Sequence, residues 1–94
     1  MARSVHIRNI VLTGAAHEDL QYWQKTNPKI VQKINELIES ILEDPGQGIG
    51  KPERLKYELS GLWSRRINQR DRIVYQVEDA TLIILQLRDH LELM

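Results

Sequence analysis

Polar and apolar positions alternate weakly from Val5 and then give way to the wholly apolar Ile10-Val11-Leu12, which predicts a first strand over residues 5 to 12. Thr13 is placed to cap a short helix from about Ala15 to Lys25, with Ala16, Leu20 and Trp23 on one stripe at i, i+4 and i+7. A second and stronger helix follows. Asn27 stands at its cap, Pro28 suits its first position, and Ile30, Val31, Ile34, Leu37, Ile38, Ile41 and Leu42 recur at helical spacing. Lys29, Gln32, Lys33, Glu36, Glu39 and Glu43 fill the opposite face, so one side packs and the other meets water. Asp44-Pro45-Gly46 stops the helix, and Gly46-Gln47-Gly48-Ile49-Gly50 forms a bendable loop before Pro52.

Beyond the loop the period changes to two. Short strands are predicted at Arg54 to Leu59, Leu62 to Asn68, Arg72 to Val77 and Thr81 to Asp89, joined by turns at Ser60-Gly61, Gln69 to Asp71 and Glu78 to Ala80. Connections this short join antiparallel neighbours. The expected fold is therefore α+β, with two N-terminal helices packed on a mostly antiparallel twisted sheet in the order β-α-α-β-β-β-β.

Strand alternation assigns faces. Leu55, Tyr57 and Leu59 should oppose Lys56 and Glu58; Trp63 and Ile67 should oppose Ser64 and Arg66; Ile73, Tyr75 and Val77 should oppose Arg72, Val74 and Gln76. Lys56, Arg66 and Arg72 are thus expected on one face. Arg65 falls out of pattern beside Trp63 and Ile67, which suggests a sheet edge or a bulge and leaves a purely structural duty open. In the last strand Leu82 to Leu85 is apolar on both faces, after which Gln86, Arg88 and His90 alternate against Leu87 and Asp89, so that His90 ends a polar row.

Composition adds limits. Ninety-four residues with 41% apolar content suit one domain over residues 1–94 with a single core, residues 1–4 being expected to be flexible. The chain has no cysteine, and His6, His17 and His90 do not form a ligand pattern, so no disulfide, structural zinc or other metal site is expected. His17 is expected to be an exposed first-turn residue without a role. The glycine loop lacks the spacing of a nucleotide-binding motif, and no cofactor is expected. The amino end lacks the apolar run of a signal peptide and no stretch is long enough for a membrane span, which points to the cytoplasm.

Charge changes the picture more than composition does. The formal total is zero, yet Lys51 to Arg72 holds seven bases and three acids, so that it carries about +4 and the remainder about −4. These bases are interleaved with apolar residues at strand spacing, and cations fixed on a sheet can hold a phosphate in one orientation. Lys51, Lys56, Arg65 and Arg66 are the candidate phosphate-binding residues. With the carboxylate of Glu53 at the exit of the loop and a histidine able to donate a proton, the set suits RNA cleavage without metal: a base deprotonates the ribose 2′-OH, which attacks the adjacent phosphorus, and an acid protonates the departing 5′-oxygen. Arginines would stabilise the phosphorane, and DNA, which has no 2′-OH, would be refused.

The runs YWQKTNPKIVQKINELI (22 to 38), GKPERLKYELSGLWSRRI (50 to 67) and DRIVY (71 to 75) resemble the YoeB family of bacterial toxins in the RelE superfamily, over nearly all of Val11 to His90. The resemblance implies a compact RelE-like, microbial-RNase-like fold and a ribosome-dependent endoribonuclease that cuts mRNA in the A site, neutralised by a small YefM-like antitoxin and able to dimerise. By position it implies Glu53 as general base, Arg72 as phosphate-stabilising arginine, His90 as general acid, and Lys56 and Arg66 as supporting cations. One position departs: the family pattern ends in histidine then tyrosine, whereas His90 is followed by Leu91, which has no hydroxyl. The resemblance does not explain the longer amino end. Two further readings stand beside the active enzyme: a degenerate toxin that binds antitoxin or ribosome with little cleavage, and a simple RNA-binding domain. The last gains nothing from Glu53, which would repel phosphate.

Overall fold

The computed structural model describes residues 6–89. Strand β1 (Asn9–Leu12) leads into helices α1 (Gly14–Thr26) and α2 (Pro28–Glu43), followed by β2 (Glu53–Arg54), a 3-10 turn (Tyr57–Leu59), β3 (Trp63–Arg66), β4 (Arg72–Glu78) and β5 (Thr81–Gln86). The strands form one sheet in the order β1-β5-β4-β3-β2. Only β1 runs parallel to its neighbour β5; the other three pairings are antiparallel. The α+β architecture and element order expected from the sequence are those observed.

The helices form where the apolar stripes and caps lie. Thr13 accepts a hydrogen bond from the N–H of Ala16 at 3.2 Å and donates to the carbonyl of Leu85 at 3.0 Å, so the cap of α1 also ties that helix to β5. Asn27 separates the two helices alone. Its N–H donates to the Trp23 carbonyl and its own carbonyl accepts from Ile30, but its side chain makes no capping bond, contrary to expectation. Backbone continuity and Pro28 suffice there.

Ala16 and Trp23 of α1 and Ile34, Leu37 and Ile41 of α2 pack on Ile73, Tyr75, Leu82, Ile84 and Leu87, forming a core on one face of the sheet. The stripe of α1 also includes the buried Asp19, whose carboxylate accepts from the N–H of Leu87 at 2.9 Å. Trp23 donates its indole N–H to the Leu87 carbonyl at 2.8 Å.

Three strand expectations change. The strand expected over Arg54 to Leu59 is reduced to Glu53–Arg54, because Tyr57 adopts φ +61°, which no strand can accommodate, and the chain turns through the 3-10 segment instead. Lys56 therefore does not join Arg66 and Arg72 through strand alternation. In the last strand a register shift sets Val74 opposite Gln86 but Tyr75 opposite Ile84. The bulge turns the inward spacing from two to three, so Leu82, Ile84 and Leu87 all reach the core while Gln86 faces away from the helices with Val74. Finally, β1 covers only the second half of its expected span. Among the described residues no helix is long and apolar enough to cross a membrane. The flexibility expected for residues 1–4 and the position of His90 lie outside the described residues.

Candidate active site

The face of the sheet turned away from the helices is where charge collects. In the antiparallel ladders Glu53 lies opposite Ser64, Ser64 opposite Val74, and Arg66 opposite Arg72. Directly opposed residues point to the same side, so Glu53, Ser64, Arg66 and Arg72 share one face as cross-strand neighbours. Arg72 donates from Nη1 to Glu53 Oε1 at 3.3 Å and to Ser64 Oγ at 3.2 Å. Both contacts are long. The Glu53 side chain is 63% accessible and that of Arg72 27%, so solvent screens the ion pair, and pairs of this kind contribute about 0–1 kcal/mol. A phosphate can enter such a pair cheaply.

Lys51 lies just before β2 with φ +54°, and with Lys33, Gly50, Arg66, Ile67, Asn68 and Gln69 it lines an open groove. The groove adjoins the Arg66 and Arg72 pair. Lys56 opens on a different concavity, beside Arg54, Leu55, Tyr57, Ser60 and Gly61. Of the expected phosphate-binding residues, Lys51 and Arg66 are thus brought together and Lys56 stands apart.

Arg65 is a correction. It sits in register opposite Ile73, at neither an edge nor a bulge, and its side chain is wholly buried. Its Nε donates to the Tyr75 hydroxyl at 3.1 Å; Nη1 donates to Ser40 Oγ at 2.7 Å and the Ile49 carbonyl at 3.1 Å; Nη2 donates to the carbonyls of Asp44 at 2.6 Å and Gln47 at 2.9 Å. Tyr75 in turn donates to the Pro45 carbonyl. No N–H remains for a phosphate, so Arg65 does not bind RNA. It gathers the loop between α2 and β2 onto the sheet, and the N–H of Arg66 completes the attachment by donating to the Gly50 carbonyl at 2.6 Å.

The glycines make this possible. Gly48 has φ +127°, and a Cβ there would stand 2.2 Å from Ser40 Oγ; Gly50 has φ +84°, and a Cβ there would stand 2.6 Å from Leu37. Burial raises the pKa of the Tyr75 hydroxyl above its ordinary 10.0, and this outweighs the opposing effect of the hydrogen bond and charge of Arg65.

The described chain ends close to this site. Asp71, the residue before Arg72, accepts from the N–H of Asp89 at 2.9 Å, and Arg88 stacks on Tyr22 with its guanidinium carbon 3.6 Å from the ring centroid. His90 is the next residue and lies outside the described residues. His17 is exposed on α1, as expected. Ser64 was passed over in the sequence, although strand alternation had set it on the Arg66 side.

Residues 12–91 match the family described as the YoeB-like toxin of bacterial type II toxin-antitoxin systems. The chain is 52% identical over 81 residues to Toxin YoeB of Escherichia coli K12, covering 86% of this chain and 96% of that protein. Among solved structures, a YoeB/ParE toxin from Agrobacterium tumefaciens superposes with a TM-score of 0.86 at 40% identity, over 88% of this chain and 99% of the other. A YoeB-YefM complex from Staphylococcus aureus contains a chain that matches with a TM-score of 0.83 at 44% identity, over 94% and 99%, and a YoeB dimer from the same organism matches with the same score and identity, over 92% and 99%.

Proposed function

Because this chain belongs to the YoeB-like toxin family of bacterial type II toxin-antitoxin systems, we propose that it is a ribosome-dependent endoribonuclease that cuts mRNA in the A site and so inhibits translation. The observation that carries this reading is the Arg72 guanidinium placed between Glu53 and Ser64 on an accessible, cation-rich sheet face. Glu53 takes the proton of the ribose 2′-OH, and the oxygen attacks the adjacent phosphorus. Arg72 turns from Glu53 towards the phosphorane and stabilises its charge. The bond to the 5′-oxygen breaks as His90 supplies a proton, leaving a 2′,3′-cyclic phosphate and a free 5′-OH. The hydrogen bond from Asp89 to Asp71 supports this role for His90, since it brings the chain to the strand end that carries Arg72.

Lys51 and Arg66 hold flanking phosphates, and Lys56 contacts RNA from its separate concavity. A single carboxylate already paired with an arginine is a poor seat for a divalent cation, whereas guanidinium groups supply the positive charge that the reaction needs. The reading is therefore metal-free chemistry. The natural partners are a YefM-like antitoxin, the ribosome with its mRNA, and a second copy of the chain; the antitoxin and dimer are supported by the S. aureus structures of relatives, and the ribosome implies the cytoplasm.

The experiment is induced expression of the chain without an antitoxin, followed by mapping of mRNA ends, and cleavage on assembled programmed ribosomes. New ends within A-site codons, cut at an unchanged rate when free divalent ions are chelated and ribosome-bound magnesium is retained, are the expected result. Growth arrest without new ends would instead favour the binding-only toxin. Cleavage abolished by chelation on intact ribosomes would overturn the metal-free step.

A further inference from the structure

Four residues beyond Glu53 stands a side chain that no step above employs. Tyr57 is 89% exposed, the highest among the exposed large apolar residues described, and its backbone sits at φ +61°. Left-handed backbone is unfavourable for an aromatic residue, and Gly or Asn would occupy it with less strain. Neither core packing nor turn geometry therefore accounts for tyrosine here. The ring borders the concavity lined by Arg54, Leu55, Lys56, Ser60 and Gly61. Arg54 and Lys56 bring two positive charges and the adjacent Glu58 one negative, so the surface around the ring is net cationic. Arg54 is in addition held over the Trp63 ring, with its guanidinium carbon 5.5 Å from the centroid.

Resting on the proposed cleavage of RNA, the geometry points to Tyr57 as a stacking platform for an unpaired base of the mRNA beside the scissile phosphate. An aromatic face beside cations is how proteins hold single-stranded nucleic acid: the ring stacks on a base, and the charges follow the backbone. Four residues of chain span at most about 14 Å, so the stacked base belongs to a nucleotide near the one that Glu53 attacks. Messenger RNA is favoured over ribosomal RNA because this short reach begins at the cleavage residue. The antitoxin is the less suited partner, since a ring exposed on a net cationic turn offers no apolar groove for a helix to fill.

The full chain is to be bound to ribosomes programmed with mRNA whose A-site riboses are 2′-O-methylated, so that cleavage is blocked, and which carries 2-aminopurine next to the A-site codon. The parent should quench the fluorescence. Tyr57→Asn, which keeps the left-handed turn, should weaken binding roughly 5- to 100-fold and abolish the quench, in line with the usual effect of losing one base stack. It should melt at or above the parent temperature, and Tyr57→Trp should keep both affinity and quench.

Equal affinity for Tyr57→Asn would overturn the inference, as would a parent that never quenches. Weakened binding with the quench intact would place Tyr57 on ribosomal RNA or protein instead, and loss of antitoxin binding alone would make it an antitoxin contact; either result also overturns it. A Tyr57-dependent quench from a chain that fails to cut unmodified mRNA would leave this inference standing and remove the proposed activity.

Discussion

Replacing Arg65 separates a structural cation from a substrate-binding one. In Arg65→Ala the carbonyls of Asp44, Gln47 and Ile49 and the hydroxyls of Ser40 and Tyr75 all lose their donor together. Hydrogen bonds to a charged group contribute about 1.5–3 kcal/mol each, and the five do not add, because water reaches the loop carbonyls once the side chain is gone. Breaking a buried charged network typically costs about 3–5 kcal/mol. That is a large part of the roughly 5–15 kcal/mol that holds a domain together. At about 4–8 °C per kcal/mol for a domain of this size, the melting temperature should fall by at least about 12 °C.

Arg65→Lys should recover only a small part, since an ammonium cannot serve five acceptors spread around a planar fork. Arg66→Ala, one position along but exposed, should change stability by no more than about 0.5 kcal/mol. Urea denaturation followed by circular dichroism measures all three on purified chains. An Arg65→Ala chain within 1 kcal/mol of the parent would refute the reasoning, and Arg65 would return to the candidates for phosphate binding.

Three other expectations follow from the same structure. Because the Tyr75 hydroxyl has a folded pKa above 10.0, the unfolded chain loses that proton first; the stabilisation is complete below about pH 10 and declines as pH rises through the folded value. Tyr75→Phe should abolish that part of the alkaline loss in pH-dependent denaturation, and an unchanged slope would contradict it. An antitoxin that covers the Lys51, Arg66 and Arg72 face with its own acids should associate more slowly as salt rises; stopped-flow rates indifferent to ionic strength would contradict this. Leu91→Tyr should raise the single-turnover cleavage rate if a hydroxyl after His90 orients the acid, and an equal or lower rate would show that Leu91 does not limit the site.

The helices were legible because each is written locally. Thr13, Pro28, the apolar stripes and Asp44-Pro45-Gly46 all act within a few residues of the backbone they shape. The Arg66 and Arg72 face was legible for a similar reason, since strand period fixes sides once the strands are found. What escaped depends on distant partners. Nothing near Arg65 announces that its acceptors are loop carbonyls 16 to 21 residues away, and its place beside Trp63 and Ile67 suggests an edge or a bulge where the side chain is in fact turned inward. Three glycines in Gly46 to Gly50 were the other half of that signal. The bulge near Gln86 was hidden because Leu82 to Leu85 is apolar on both faces, so the pattern marks no register. The strand through Tyr57 failed because its backbone takes a conformation that tyrosine rarely adopts, and local propensity argues against it.

Single-turnover cleavage on programmed ribosomes tests the assignment of base and transition-state cation most directly, with product ends read for a 2′,3′-cyclic phosphate. The parent should generate that end within the A-site codon. Glu53→Ala and His90→Ala should each slow it on the order of 10²- to 10⁴-fold, and Arg72→Ala on the order of 10²- to 10³-fold, with the melting temperature nearly unchanged. His17→Ala should cut at the parent rate. A Glu53→Ala or Arg72→Ala chain that cleaves as fast as the parent would contradict the proposed site, however well the fold matches its relatives.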